Sequence, residues 1–377
     1  MFLEWQQAQS DAYDTMLAAV GKTLREPPDA RSEPRAAWRR CGELGLLGLC
    51  IPEAYGGGGL GALDTAHLVE AFGRGCEDTG LVFATSAHLL ACAVPIATFG
   101  SPELRARLLP AMCAGDAVAA NAMTETDAGS DIAAISTRAV RDGDTYVLDG
   151  TKSWASNAPD ADVFVTYAVT DPTAGFLGTS AFVVERGTPG LRVGEPLAKM
   201  GLDTCAAGAV HFDDCRIPAG NLLGGEGAGG AVFQHSMAWE RACLFAGYLG
   251  LMDRLLDRCV DHARQRRQFG RRIADFQAVS HRVAEMKLRL EGARLLLYRA
   301  CFRLDRGDHT AADSALSKLA VSEAAVRAAS DALRIFGARG YLVAEGLDAA
   351  LRDTVPARLF SGTNEIQHEL IAKGLGL

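Results

Sequence analysis

The chain has 377 residues, 49% of them hydrophobic, and a formal net charge of −8 at pH 7. That length and apolar content suffice for two or three domains with sizeable cores, while the acidic balance excludes a general nucleic-acid binder, which needs a basic face. No apolar run reads as a membrane span, and Met1-Phe2-Leu3-Glu4-Trp5 lacks the charged, then apolar, opening of a signal peptide, so an intracellular, cytoplasmic protein is expected.

Residues 1–119 read as a helical domain broken by Gly and Pro. Gly100-Ser101-Pro102-Glu103 marks a helix start, with Ser as cap, Pro in the first turn and Glu suited to the helix dipole. The texture changes at about residue 120. Arg138-Ala139-Val140-Arg141 and Thr145-Tyr146-Val147-Leu148 flank the turn signal Asp142-Gly143-Asp144, and Val163–Tyr167, Ala181–Val184 and Ala209–Phe212 continue the strand character. The glycine-rich run 224–230 closes a β domain over 120–231. From 232 to 377 the text is helical again, with Val283, Met286, Leu290, Ala293 and Leu297 at three- and four-residue steps forming one apolar stripe. The succession α, β, α makes this an α+β chain.

The ten cysteines contain no Cys-x-x-Cys pair and the eight histidines no ligand cluster, so no metal is expected. Several cysteines lie in apolar, helix-like text, such as Leu49-Cys50-Ile51 and Ala242-Cys243-Leu244, where a reduced cysteine acts as a small core residue.

Residues Ala122-Met123-Thr124-Glu125-Thr126-Asp127-Ala128-Gly129-Ser130-Asp131 carry the strongest chemical signal. Glycine permits close backbone approach and short hydroxyls donate without crowding, as a loop against a flat anionic cofactor requires. The run resembles the first signature of the acyl-CoA dehydrogenase family. Further segments match in family order: Tyr55-Gly56-Gly57, Lys152-Ser153-Trp154-Ala155-Ser156-Asn157-Ala158, Lys199-Met200-Gly201, Arg266-Arg267-Gln268-Phe269-Gly270 with Gln277, Ile335–Tyr341 and Ser361–Gln367. The resemblance implies an N-terminal α-helical domain, a middle β-barrel or sandwich, and a C-terminal four-helix bundle that builds a homotetramer.

The same resemblance implies FAD as cofactor. Met123 and Thr124 would meet the flavin edge, Gly129 and Ser130 the cofactor and substrate phosphates, Trp154 the isoalloxazine and Ser156 the N5 region. Trp154 taken alone would read as core, and the arginines around 264–272 as a solvated face. In family order, Arg266, Phe269, Gln277, Arg334, Gly337, Thr363 and Glu365 complete the cofactor set, some of them across a subunit interface. Arg334 stands where many relatives have a glutamine.

The implied chemistry removes the α-proton of a thioester to a base while the β-hydrogen leaves as hydride to flavin N5. Many relatives carry a Glu just before the C-terminal Gly-Thr, where this chain has Phe360-Ser361-Gly362-Thr363. Some branches place the base on another helix directly before an arginine, and Trp239-Glu240-Arg241 matches that place. Glu240 is therefore the expected base and Arg241 its support, while the Ser361 backbone N–H would polarise the thioester carbonyl. An isolated Glu-Arg pair would usually be a solvated ion pair.

Trp239–Ala246, Phe360–Thr363 and Met286–Glu291 together resemble prolyl-carrier-protein dehydrogenases. The expected substrate is proline held as a thioester on a phosphopantetheinylated carrier protein and oxidised toward pyrroline or pyrrole, with an electron-transferring flavoprotein or oxygen as acceptor. The alternatives are a short- or branched-chain acyl-CoA dehydrogenase and a non-catalytic flavoprotein scaffold. The arginines between 289 and 306 read as a solvated face rather than as a carrier-docking surface.

Overall fold

The computed structural model describes residues 5–24 and 35–377. Met1–Glu4 of the N-terminal reading therefore lie outside the described residues. The first six helices are α1 Gln7–Thr23, α2 Ala36–Glu43, α3 Ala62–Gly75, α4 Thr79–His88, α5 Val94–Phe99 and α6 Pro102–Ala114. Ser101 caps α6, its hydroxyl accepting from the Leu104 N–H at 3.2 Å. A π-helical turn at Leu89–Ala93 joins α4 to α5. The resulting helix Thr79–Phe99 spans 21 residues with a mean hydropathy of 1.8, long and apolar enough to cross a membrane. This corrects the sequence expectation that no run approaches that length. Its apolar window is 89% buried inside the protein, so its hydrophobicity is spent on the core. A second correction concerns Leu49-Cys50-Ile51, which lies in turns rather than in a helix, although all ten cysteines are free thiols.

Eight strands follow: β1 Ala119–Ala122, β2 Arg138–Asp142, β3 Thr145–Ser156, β4 Val163–Val169, β5 Thr179–Glu185, β6 Leu191–Val193, β7 Ala207–Pro218 and β8 Leu222–Leu223. They run in the order β6-β7-β3-β2-β4-β5-β8, with β1 paired in parallel to β4. A single pair, Arg138 with Val169, joins the two halves. Alternate side chains from both halves, among them Tyr146, Leu148, Phe164, Phe182, Val210 and Phe212, bury against one another, so the sheet folds over its own core as a sandwich.

The C-terminal part holds α7 Gly229–Trp239, α8 Ala246–Gln265, the hairpin strands β9 Arg267–Gln268 and β10 Arg271–Arg272, α9 Gln277–Arg306, α10 Ala311–Phe336, α11 Leu347–Thr354 and α12 Asn364–Gly374. Met286, Leu290, Ala293 and Leu297 are buried and Val283 packs at the margin of the core, as the stripe requires. Helices α3 and α8 cross on glycines. A Cβ on Gly73 would fall 2.1 Å from the Gly247 carbonyl oxygen, and one on Gly250 would fall 2.2 Å from that of Glu70. Behind this crossing Glu70 is buried and accepts from Arg294 at 2.7 Å. Arg282 and Arg289 pair with Asp331, and Arg303 with Asp313. Arg289, Arg294 and Arg303 are thus tied into the bundle, which corrects the reading of 289–306 as a plainly solvated face.

The loop after β1 is held by one carboxylate. Glu125 is 5% exposed and accepts from the Ser136 N–H and hydroxyl at 2.7 Å each, from Thr137 N–H at 2.9 Å and its hydroxyl at 2.6 Å, and from Lys152 Nζ at 2.8 Å. Burial alone would raise its pKa, but the bonds from Lys152, Thr137 and Ser136 outweigh it and hold the carboxyl at about 2. Burial draws the Lys152 ammonium down to about 8, which still leaves it charged at pH 7. Because Glu125 titrates lower folded than unfolded, its contribution to stability is complete above the ordinary carboxylate range and is lost as pH falls toward 2. Lys152→Met leaves this charge buried without its ion-pair partner and is expected to cost about 3 kcal/mol. Thermal unfolding of the variant at pH 7 checks the loss.

Candidate active site

Helix α7 does not run straight into α8. Between them Glu240–Leu244 forms a π-helical turn, with Glu240 as its first residue. Such a turn inserts an extra residue into the helical ladder and re-aims the side chains there. It packs against the other π turn, Leu89–Ala93. Glu240 is 8% exposed. Burial raises its pKa above the ordinary carboxylate value, while the Ser361 hydroxyl and the Arg241 charge pull it back.

Ser361 reaches Glu240 from the far end of the chain. Its hydroxyl donates to Glu240 Oε1. Ser361 and Gly362 both adopt left-handed backbone, with φ of 56° and 81°. The strain of a non-glycine residue there is held in place by its surroundings. Arg241 Nε donates to the Ser361 carbonyl at 2.9 Å, and Gln367 Nε2 donates to the Gly362 carbonyl at 2.9 Å. The preceding Phe360 packs against Phe83 with ring centroids 4.5 Å apart. Thr363 caps α12, and Asn364 Oδ1 accepts from the buried Lys318 at 2.7 Å. Burial, with Arg241 nearby, lowers the Lys318 pKa to about 7.

Glu240, Arg241 and Ser361 line a cavity of about 370 Å³ together with Met123, Thr124, Gly129, Ser130 and Trp154. Trp154 also borders a second cavity of about 430 Å³, whose walls include Ser156, Lys199, Met200, Gly201 and Phe360. A register shift between Lys152 and Ala155 in the β3–β7 ladder marks an irregularity that carries Ser153 and Trp154. The Ser153 N–H donates instead to the Thr124 carbonyl at 2.7 Å, tying this stretch to the motif loop. Trp154 is left with φ of 56° and its ring 55% exposed between the two cavities. A half-exposed tryptophan on strained backbone suits a planar ligand stacked on its face. A Cβ on Gly129 would meet nothing within 4 Å, so no packing demands that glycine and its backbone is open to a ligand. These features fit a flavin.

The remaining residues of the expected set lie elsewhere. Arg266 is the exposed C-cap of α8, Phe269 sits 91% exposed at the tip of the β9–β10 hairpin with φ of 53°, and Gln277 opens α9. Arg334 lines a groove of about 580 Å³ between α9 and α10, and Gly337 caps α10. None of these five borders either cavity of the same chain. Thr363 and the exposed Glu365 sit just beyond the Ser361–Gly362 wall. Glu125, Lys152, Asn364 and Gln367 act as positioning groups from inside the quoted motifs, a role that the motif text does not display. Lys318 carried no local signal at all.

Family models of acyl-CoA dehydrogenases match the chain from end to end: the N-terminal domain over residues 4–116, the middle domain over 120–215 and the C-terminal domain over 227–376. The chain is 56% identical over 341 residues to an L-prolyl-(peptidyl-carrier protein) dehydrogenase of Pseudomonas fluorescens Pf-5, covering 90% of each. Among solved structures, PigA with FAD and proline is 44% identical with a TM-score of 0.96 over 100% of both chains. The prolyl acyl carrier protein oxidase AnaB is 39% identical with a TM-score of 0.96, over 99% of this chain and 100% of its own. With its motif loop, its tryptophan wall and matches of this extent, the chain belongs to the acyl-CoA dehydrogenase family.

Proposed function

We propose that the protein is an FAD-dependent dehydrogenase that oxidises carrier-bound prolyl thioester toward pyrroline or pyrrole. The observation that carries the reading is Glu240: a carboxylate with raised pKa, buried at the wall of a cavity bordered by the motif loop and Trp154. The likeness to prolyl-carrier dehydrogenases supports this substrate over simple acyl-CoAs.

In this reading Glu240 takes the α-proton of the thioester onto its carboxylate. The electron pair released at Cα forms the new double bond to Cβ. Bound FAD supplies the hydride acceptor for the β-hydrogen. Desolvation makes Glu240 a stronger base than a solvated glutamate, and the Ser361 hydroxyl on Oε1 leaves Oε2 for the substrate. Arg241 holds the Ser361 carbonyl, and so orients the Ser361–Gly362 backbone whose N–H would meet the thioester oxygen. Met123, Thr124, Gly129, Ser130, Trp154 and Ser156 would hold the flavin. Arg266, Phe269, Gln277, Arg334, Gly337, Thr363 and Glu365 would complete the site in a homotetramer. The exposure of Phe269, Tyr341 and Val343 supports such self-association. An electron-transferring flavoprotein or oxygen would reoxidise the cofactor.

Anaerobic mixing of the holoenzyme with prolyl-loaded carrier protein, followed at about 450 nm, tests the reading. Bleaching by the carrier-bound prolyl group is expected; bleaching by acyl-CoAs alone would move the protein to ordinary acyl-CoA oxidation. Glu240→Gln is expected to retain FAD and lose at least about a thousandfold in the reduction rate, whereas a scaffold would lose nothing. Ser361→Ala removes a bond that lowers the Glu240 pKa, so the acidic limb of the rate profile should move up by about one pH unit. A profile with the wild-type midpoint would show that the hydroxyl does not tune the base. Arg266→Ala should reduce FAD occupancy, read from the ratio of flavin to protein absorbance, since its guanidinium would pair with the pyrophosphate.

A further inference from the structure

One buried polar atom at the cavity wall has no partner among the described residues. Asn121 lies on β1, where Ala120 and Ala122 face the core of the sheet and Ala119 and Met123 face the helices. Strand alternation therefore turns Asn121 toward the helices, and its side chain lines the cavity of Glu240 beside Met123, Phe233 and Met237. Its Oδ1 is buried and accepts no hydrogen bond from the described residues. A buried, unsatisfied amide oxygen costs about 1–3 kcal/mol, so a polar group at an otherwise apolar wall calls for a partner.

Thr124 and Ser130 on the cavity wall belong to the loop proposed to hold the flavin, and the polar side chains around Glu240 already have partners. The Ser361 hydroxyl serves Glu240, Arg241 serves the Ser361 carbonyl, and the Ser153 hydroxyl pairs with that of Thr126 at 3.0 Å. Gln234 and Lys373 line the exposed margin. A hydrocarbon acyl chain offers Asn121 nothing. In a prolyl thioester the ring nitrogen is bonded directly to the carbon whose proton Glu240 takes. A half-turn about χ2 exchanges the amide ends, so Asn121 can accept from the ring N–H or donate to the nitrogen lone pair.

We propose that Asn121 is a specificity-determining residue that hydrogen-bonds the ring nitrogen of the carrier-bound prolyl group. The inference rests on the prolyl reading above. Its test compares two thioesters on the same carrier protein, prolyl and cyclopentanecarbonyl, which exchanges the ring N–H for CH₂ and keeps the ring size. Flavin reduction is measured anaerobically for the wild-type holoenzyme, Asn121→Leu and Asn121→Ala, with FAD content confirming an assembled site; Ala guards against Leu merely obstructing the cavity. Both variants are expected to lose about ten- to a hundredfold on the prolyl thioester and to stay within about threefold of wild type on the carbocycle. An unchanged prolyl rate, or an equal loss on both thioesters, would overturn the assignment while leaving the prolyl reading intact. Wild-type enzyme that the prolyl carrier fails to reduce would sink the prolyl reading and the assignment with it.

Discussion

The proposed reaction depends on keeping one carboxylate dry and still able to ionise. Water would solvate Glu240 and weaken it as the proposed base, while complete isolation would lock it in the protonated form. Two adjacent π turns, one from the N-terminal helices and one at the α7–α8 junction, surround it with Cys92, Ala242 and Cys243, all fully buried or nearly so. A single hydroxyl and a neighbouring guanidinium then restore part of what burial removes. Neither turn could be straightened without moving the carboxylate off the cavity wall.

Residue 361 and residue 240 are 121 positions apart and meet through one hydrogen bond. That contact gives the serine before Gly362-Thr363 a role beside the proposed base. A carboxylate on either element would reach the same space, so a base on the π turn after α7, as proposed, leaves the C-terminal loop free to serve it. The dipeptide Glu240-Arg241 does two jobs at once. Its first residue reaches the cavity and its second reaches the carbonyl of the loop that closes it. Glu240 and Arg241 are both buried, unlike the solvated ion pair such a sequence ordinarily forms.

Much of the fold was legible because its signals are local. The capped start of α6, the two-residue turn at Gly143-Asp144 and the stripe on α9 each depend on residues within a few positions of one another. The long motifs conveyed the family because many short-range features had to agree. What stayed hidden depends on distant pairing. Glu125 looks like part of a cofactor loop, and only the folded chain shows it accepting from Lys152, 27 residues on. Arg294 looks solvated until Glu70, 224 residues away, is found beneath it. Trp154 resembles core because its composition cannot reveal the ladder irregularity that turns it outward. The membrane-length stretch Thr79–Phe99 is masked in the text by the Ser, Thr and His that punctuate it, and its burial is a property of its neighbours.

The β9–β10 hairpin is the strongest support for the proposed self-association. Its tip combines a phenylalanine 91% exposed to solvent with left-handed backbone at the same residue. Each feature is unfavourable alone, and among the described residues the aromatic neighbour of Phe269 is the edge of Phe276, 6.0 Å away. The neighbouring arginines add charge without a buried acid to meet it, apart from Arg272 with the half-exposed Asp275. An anionic cofactor reached across a subunit boundary would answer both costs at once: the ring would gain a covered surface and the guanidinium groups a phosphate. In the groove holding Arg334, Arg282 and Arg289 are already paired with Asp331, whereas Arg327 and Arg334 have no ion-pair partner among the described residues and could answer an anionic ligand in the proposed assembly.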